Sequence, residues 1–240
     1  MPTEHYEYND KLVVSLPEHL PMPPTTNFHN MFAECSELED ISALANWDVS
    51  KVENMGGMFY GCNKLENISA LFDWDVSNVK DMGGMFAECS NLSNLSPLFN
   101  WNVSKVEEMS NTFHSCHKLI YLSILAEWNV SNVKNMAGMF ASCWKLQDIS
   151  ALSKWDVSNV ENMLCMFSRC RSLENISALA NWDVSKVKNM RCMFRLCGSI
   201  QCIPEIFRPN IVLGTRRPVR RFVRPRRAPR EKSTDVPNQA

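Results

Sequence analysis

Hydrophobic positions recur along this chain at a fixed interval of 27 residues. Each unit spaces apolar residues three apart, as in Leu38, Ile41, Leu44 and Trp47, and then adds a second apolar set that ends in Met-Phe. One tryptophan marks every unit, at Trp47, Trp74, Trp101, Trp128, Trp155 and Trp182. Phenylalanine recurs at the same interval from Phe32 to Phe194, and cysteine from Cys35 to Cys197. An unvarying period of this length predicts a solenoid, in which each coil stacks on its neighbour and like residues form ladders.

The pattern inside one unit predicts a short strand followed by a short helical segment. Alternation from Trp47 to Ser50, with the β-branched Val49, is typical of a strand. Ser50 then has the character of a helix N-cap, and Glu53 three residues later completes a capping box. The chain is therefore expected to be an α/β solenoid of 27-residue coils, each with one short parallel strand and one short helical segment.

An exposed position supports the stacking independently of the apolar pattern. The residue after the second valine of each unit alternates in charge along the chain, as Glu53, Lys80, Glu107, Lys134, Glu161 and Lys188. Like charges directly opposite each other repel, so opposite charges at equivalent positions of adjacent coils are favourable. We therefore expect ion pairs between adjacent coils at this position.

The repeat motif resembles that of a known family. The segment W-D-V-S-N-V followed by M-x-x-M-F-x-x-C is similar to the BspA-like leucine-rich repeats, relatives of the treponemal type, and the likeness covers about residues 28–207. The resemblance implies a right-handed solenoid used for protein recognition, often in surface proteins of bacteria or parasites. It implies no particular enzymatic activity.

Charge and composition divide the chain into three parts. Residues 1–27 are predicted to cap the N-terminal end, with 11–16 as an edge strand, and residues 28–207 to form the solenoid. Residues 208–240 are predicted to hold C-terminal cap residues and a disordered tail rich in arginine and proline. Residues 1–207 carry 15 basic and 24 acidic side chains, whereas 208–240 carry 10 basic and 2 acidic ones.

The N-terminal sequence and the cysteines suggest a compartment. The chain begins without the basic and apolar segments of a secretory signal, and its longest apolar run is too short to span a membrane. Ten cysteines in such a chain indicate reduced thiols and an intracellular protein. Surface display, as in much of the resembling family, would need an unrecognised export route.

The residues that could act in catalysis do not indicate an enzyme. The ladder cysteines and tryptophans are expected in the core, and the sequence shows no phosphate-binding loop or nucleophile motif. Asp48 has asparagine in its place in two other units, which indicates a turn hydrogen bond. His114 and His117 are interpreted as solvated histidines, and Cys165 and Cys192 as a second stacked pair. We expect no metal, no cofactor and no catalytic residue.

Binding specificity is expected at the positions that vary between coils. These flank the ladder cysteine, and the residues that stand out there are Tyr60, His114, Trp144, Arg169, Arg171 and Arg195. Trp144 is the only tryptophan outside the ladder, and an exposed aromatic beside arginines is a plausible interaction anchor. The leading hypothesis is a non-enzymatic protein-interaction scaffold with an unidentified protein partner.

The arginine-rich tail supports an alternative hypothesis, in which the chain associates with nucleic acid. Arginine binds phosphate with two donors and an aromatic ring stacks on bases. Other targets for the tail are an anionic membrane, the import machinery or the acidic early coils. The candidate anion-binding residues are Arg216, Arg217, Arg220, Arg221, Phe222, Arg224, Arg226, Arg227 and Arg230.

Overall fold

The computed structural model describes Tyr8, residues 11–198, residue 200 and residues 203–210. Over these residues the chain is a solenoid whose coils repeat every 27 residues. Coils are numbered here from their ladder tryptophan, so that coils 1 to 6 are 47–73, 74–100, 101–127, 128–154, 155–181 and 182–208. The predicted arginine-rich tail lies outside the described residues.

Backbone hydrogen bonds between coils fix the register. Met55, Gly57 and Phe59 donate their N–H groups to carbonyls one coil ahead, at 2.7–2.9 Å. Alternate amides bond locally instead, as when Met58 N–H donates to the Met55 carbonyl three residues back. Each coil thus divides its backbone bonds between a neighbouring coil and its own turn, and this mixture produces neither a regular strand nor a regular helix.

Strand character is limited to single parallel bridges in the described residues. The predicted strand at Trp47–Ser50 is wrong, because the pairing lies several residues later, at the position of Asn54. The bridges of this series are Asn27 with Asn54, Asn54 with Asp81, Asp81 with Glu108, Glu108 with Asn135, Asn135 with Asn162, and Asn162 with Asn189. Two further bridges join Ser15 with Asp40 and Tyr121 with Asp148.

The helical segments are short 3₁₀ helices, and each of the first six precedes a ladder tryptophan. The helix predicted to begin at Ser50 is wrong, since the Ser50 N–H bonds to the Asp48 carboxylate at 3.1 Å and the Glu53 N–H donates to Thr26 in the preceding coil. These bonds leave no donors for a capping box. The helices are Ser42–Asn46, Ser69–Leu71, Ser96–Leu98, Ser123–Glu127, Ser150–Lys154, Ser177–Leu179 and Glu205–Asn210.

Two positions in every coil adopt a left-handed backbone. Gly57 and Gly61 in coil 1 have φ values of 63° and 73°, and the equivalent residues of the other coils are also positive. Gly57 is the second glycine of the Met-Gly-Gly-Met motif. Because a Cβ destabilises this conformation, glycine or asparagine suits the first position. That position is filled by Asn30, Gly57, Gly84, Asn111, Gly138, Cys165 and Cys192.

Ladders of like residues form the core, among them those of phenylalanine, tryptophan and cysteine. Seven phenylalanine rings from Phe32 to Phe194 stack with centroids 5.6–5.8 Å apart and interplanar angles of 6–11°. The indole N–H of Trp74 donates to the Leu44 carbonyl, and this bond repeats in each later coil at 2.9–3.2 Å. Each ladder cysteine is buried, which confirms the prediction that these cysteines belong to the core.

The predicted charge ladder is confirmed. Lys80 bonds Glu53 at 2.8 Å, Lys188 bonds Glu161 at 2.6 Å, and Lys134 pairs with Glu107. Each lysine therefore pairs with the glutamate 27 residues earlier. A hydrogen bond from Lys188 is the main reason that the pKa of Glu161 is lowered. Exposed pairs of this kind contribute little energy, so they reinforce the register more than they stabilise the fold.

Residues 11–16 contact the leading edge of the solenoid, but the strand predicted for this segment is reduced to a single bridge residue. Ser15 forms a parallel bridge with Asp40, and the Leu16 N–H donates to the Asp40 carbonyl at 3.1 Å. Leu16 is buried against the core. The backbone groups at this edge are thereby paired within the chain.

Truncation of a single ladder phenylalanine should be strongly destabilising. Phe113 is fully buried between Phe86 and Phe140. We expect Phe113→Ala to lower the free energy of unfolding by about 3–5 kcal/mol, because it leaves a cavity that rigid neighbours cannot fill. Chemical denaturation followed by tryptophan fluorescence measures this. The matched control is Phe99→Ala, since Phe99 is 51% exposed, and a comparable loss in both variants would contradict the ladder model.

Candidate functional site

Side chains that flank the ladder cysteine project from the same edge of every coil. In coil 1, Phe59 and Cys62 are buried, whereas Tyr60 between them is partly exposed. Because the turn geometry repeats, equivalent residues of adjacent coils lie side by side along this edge. The six residues predicted to bind a partner fall into three clusters along it, with two residues in each.

Trp144 and Arg171 belong to the first cluster, together with His117. The Trp144 ring stacks on the His117 ring with centroids 3.8 Å apart and an interplanar angle of 13°. The guanidinium carbon of Arg171 lies 5.1 Å from the Trp144 ring centroid. Burial lowers the pKa of His117, which favours a neutral imidazole. We call His117, Trp144 and Arg171 the Trp144 stack; its central indole is 41% exposed.

Tyr60 of coil 1 and His114 of coil 3 line a groove that extends across coils 1 to 3. Ala87 occupies the equivalent position in the coil between them, so a small residue lies where its neighbours have rings. The groove has a volume of about 650 Å³. We call it the acidic groove, and the residues used below are Tyr60, Asp81, Ala87, Glu88, Glu108 and His114.

Carboxylates make this groove negatively charged. The Tyr60 hydroxyl donates to Glu88 at 3.2 Å, and the Glu88 charge is the main cause of the raised Tyr60 pKa. Burial lowers the pKa of His114, although the Glu88 charge acts in the opposite direction. His114 and His117, interpreted from the sequence as solvated histidines, are both half-buried, because His114 is partly enclosed by the groove and His117 is covered by Trp144.

Asp81 and Glu108 place two carboxylates on consecutive coils. The same position holds asparagine in the coils on either side, at Asn54 and Asn135. In every case a side-chain oxygen accepts the N–H two residues later, and for Asp81 that bond from Gly83 is 2.8 Å. Burial is the main cause of the raised Asp81 pKa, and the Glu108 charge adds to it. The amide would serve the turn equally well, so the turn bond itself does not require a charge at Asp81 or Glu108.

Arg169 and Arg195 form the third cluster, on the last two coils. The Arg169 N–H donates to the Arg195 carbonyl at 2.7 Å, and both side chains are exposed. The pair lies beside Cys165 rather than in the Trp144 stack. The candidate tail residues from Arg216 to Arg230 lie outside the described part of the chain.

The turn role predicted for Asp48 is confirmed. The Ser50 N–H donates to the Asp48 carboxylate at 3.1 Å, and the same bond forms to Asn102 and Asn129 where asparagine replaces aspartate. Hydrogen bonds with Ser50 lower the pKa of Asp48. Within the described residues, no three His, Cys, Asp or Glu side chains lie close enough to hold a metal ion. Over the same residues, none of the helices has the length and apolar character to cross a membrane.

The sequence interpretation missed the side-chain contacts that variable residues of adjacent coils make with each other. His117, Trp144 and Arg171 are spaced 27 residues apart, as are Asp81 and Glu108. The period that located the core ladders could therefore have located these clusters as well. A comparison of the variable positions at this 27-residue spacing would have predicted both clusters.

The geometry defines a repeat solenoid with an outward edge of variable residues, and the comparisons give its family. A family model described as "Mycoplasma protein of unknown function, DUF285" matches residues 26–120 and 121–203. These matches cover most of the chain, so the protein belongs to this family. No curated protein sequence matches it significantly.

Solved structures with a similar course are leucine-rich repeat proteins. One from Bacteroides ovatus is 18% identical, with 70% of this chain and 46% of that one covered and a TM-score of 0.37. One from T. pallidum is 18% identical, with 71% and 82% covered and a TM-score of 0.36. A leucine-rich cell surface protein from Faecalibacterium prausnitzii is 15% identical, with 62% and 55% covered and a TM-score of 0.25.

The chain therefore spans about half the length of the Bacteroides and Faecalibacterium proteins. At these TM-scores the solenoid assignment rests on the ladders and inter-coil bonds of the chain itself.

Replacing Asp81 with asparagine should stabilise the fold. We expect Asp81→Asn to raise the free energy of unfolding at neutral pH by roughly 0.2–1 kcal/mol, since it keeps the turn bond and removes a like-charge neighbour. Because the folded pKa of Asp81 is raised, its ionised form opposes folding. The gain should therefore disappear as pH falls below about 3.9, where the carboxyl is protonated in both states. Urea denaturation at several pH values measures it.

The reverse substitution in the same series is the control. Asn135 donates its side-chain amide to Glu108 at 2.9 Å. Asn135→Asp removes this donor and adds a third consecutive carboxylate, so it should destabilise the fold. A loss of stability in Asp81→Asn would show that the carboxylate makes a compensating contact.

Proposed function

We propose that this protein is a non-enzymatic scaffold that binds another protein through the variable edge of its solenoid. The observation that carries the proposal is the Trp144 stack. The repeated Trp, Phe and Cys residues are buried in the core, so they are not available to a partner. The side chains that differ between coils are the ones that reach solvent beside the ladder cysteines.

The Trp144 stack has the properties of a binding anchor. Tryptophan and arginine are enriched among the residues that dominate interface energies. His117 on one face and Arg171 on the other limit the motion of the Trp144 ring. A partner that covers the exposed part of the ring therefore loses little side-chain entropy on binding. The exposed part of the indole is the surface that a partner would contact.

The acidic groove adds a preference for partner charge. Asp81, Glu88 and Glu108 line it within two consecutive coils. A Lys or Arg side chain of a partner would relieve the repulsion between Asp81 and Glu108. Small residues at its centre leave room for such a side chain between Tyr60 and His114. We infer that the partner presents a basic segment to coils 2 and 3 and an apolar or aromatic group to coil 4.

Replacing Trp144 should abolish or weaken partner capture. Tagged full-length protein, Trp144→Ala and Phe72→Ala are used to capture proteins from lysate of the source cells, and retained proteins are quantified by mass spectrometry. Phe72 is the matched control, since it is 45% exposed and lies away from the cysteine edge. We expect Trp144→Ala to lower recovery of specific partners at least tenfold, as for a hot-spot residue, and Phe72→Ala to retain them. Equal recovery with all three proteins would contradict the assignment.

The arginine-rich tail favours a second candidate function, binding to nucleic acid. Residues 208–240 carry 10 basic and 2 acidic side chains, which is the composition of a phosphate-binding segment. We compare the full chain with a protein that ends at Phe207, each with and without nuclease and over a salt series. Tail-driven binding should weaken steeply with salt and disappear with the tail or with nuclease. Binding by the solenoid edge should survive both treatments and still depend on Trp144.

A further inference from the structure

Cys165 and Cys192 occupy the same position in coils 5 and 6. Both have a φ of 58°, in the left-handed position that glycine or asparagine fills in the earlier coils. Both are half-buried, and after burial the neighbouring Cys192 thiol is the next cause of the raised pKa of Cys165. In this position the sequence departs from glycine and asparagine only in these two coils, which are adjacent.

The ladder cysteines provide an internal comparison. Cys170 and Cys197 are also 27 residues apart, but both are buried, and each thiol donates to a phenylalanine carbonyl of the preceding coil at 2.9–3.1 Å. Burial raises the pKa of the ladder thiol Cys143 to about 12. The ladder thiols are therefore unreactive, whereas the outer pair is accessible to small molecules in solution.

The local backbone allows the outer pair to be joined. The Cys165 N–H donates to the Arg191 carbonyl at 2.9 Å, which holds Cys165 beside the residue preceding Cys192. Neighbouring strands lie ~4.8 Å apart, and disulfides link Cα atoms ~4.4–6.8 Å apart. The two side chains leave equivalent positions in the same direction, so closure needs rotation about side-chain bonds and a small adjustment of the backbone.

We propose that Cys165 and Cys192 form an oxidation-sensitive dithiol that closes to a disulfide between coils 5 and 6. The oxidant is a low-molecular-weight disulfide. One cysteine thiolate attacks a sulfur of the oxidant, which forms a mixed disulfide and releases one small thiol. The second thiolate attacks the protein sulfur of that mixed disulfide, and the other small thiol leaves. The protein loses two electrons and two protons, and the oxidant gains them.

Closure would lock the two coils nearest the C-terminal end of the described solenoid. In a repeat protein each coil is held mainly by its neighbours, so the terminal coils separate most easily. A covalent link between two of them opposes that separation. It would also hold Arg169 and Arg195 together, because these side chains flank the thiol pair. Oxidation therefore stabilises one end of the solenoid and fixes one of its exposed clusters.

Peptide mapping tests the proposal directly. Full-length protein is incubated with oxidised glutathione, alkylated under denaturing conditions and digested with trypsin. Cleavage at lysine and arginine places Cys165 alone in peptide 155–169 and Cys192 alone in peptide 192–195. The expected product is these two peptides joined, lighter by two hydrogen atoms than the separate thiols, and absent after dithiothreitol. Cys170 and Cys197 should be recovered as alkylated thiols.

Two further measurements separate closure from general oxidation. Oxidised wild-type protein should melt several degrees above the reduced protein, whereas Cys165→Ser and Cys192→Ser should each show no such shift. Burial and the neighbouring Cys192 raise the pKa of Cys165, although Arg195 and Arg169 oppose this. The rate of closure should therefore increase as pH rises from 7 to 9. Glutathione bound separately to both cysteines, with no linked peptide, would overturn the proposal.

Discussion

The structure depends on one constraint, which is the constant offset between a donor in one coil and its acceptor in the next. The backbone N–H of Met55 donates to the Asp81 carbonyl, and the backbone N–H of Lys80 donates to the Glu53 carbonyl. Equivalent backbone bonds recur along the stack. One inserted residue would move every later N–H away from its carbonyl, and would also displace the phenylalanine, tryptophan and cysteine ladders. Side-chain packing and backbone bonding therefore enforce the same 27-residue interval, and neither can change alone.

This constraint also determines where the chain is free to vary. The stacked rings and the thiols beside them must be nearly identical in each coil, because each ring contacts its own counterpart and each thiol donates to a phenylalanine carbonyl of the preceding coil. Residues on the outer side of the turn meet only their equivalents in adjacent coils. A substitution there creates a cluster whenever two or three neighbouring coils change together. The Trp144 stack, the acidic groove and the Cys165–Cys192 pair all arise in this way.

The repeat architecture and the composition of its core could be predicted from the sequence, whereas the local elements could not. A helix beginning at Ser50 is a reasonable interpretation of serine followed by glutamate, but the Asp48 carboxylate accepts the Ser50 N–H and the preceding coil accepts the Glu53 N–H. Similarly, the glycine pair at Gly56 and Gly57 lies in no helix. Its physical role is a left-handed turn, with φ of 63° at Gly57. Competition between local and inter-coil hydrogen bonds decides both cases.

The sequence by itself determined the period, the buried residue types, the charge ladder and the list of variable residues, because repetition within one chain reports which positions must match. Only the tertiary structure decided which of those variable residues act together. Trp144 and Arg171 lie in contact, whereas Arg169, only two residues from Arg171, lies with Arg195 beside the thiol pair. The reason is that neighbouring residues of one turn diverge in direction, while residues one full period apart lie against each other.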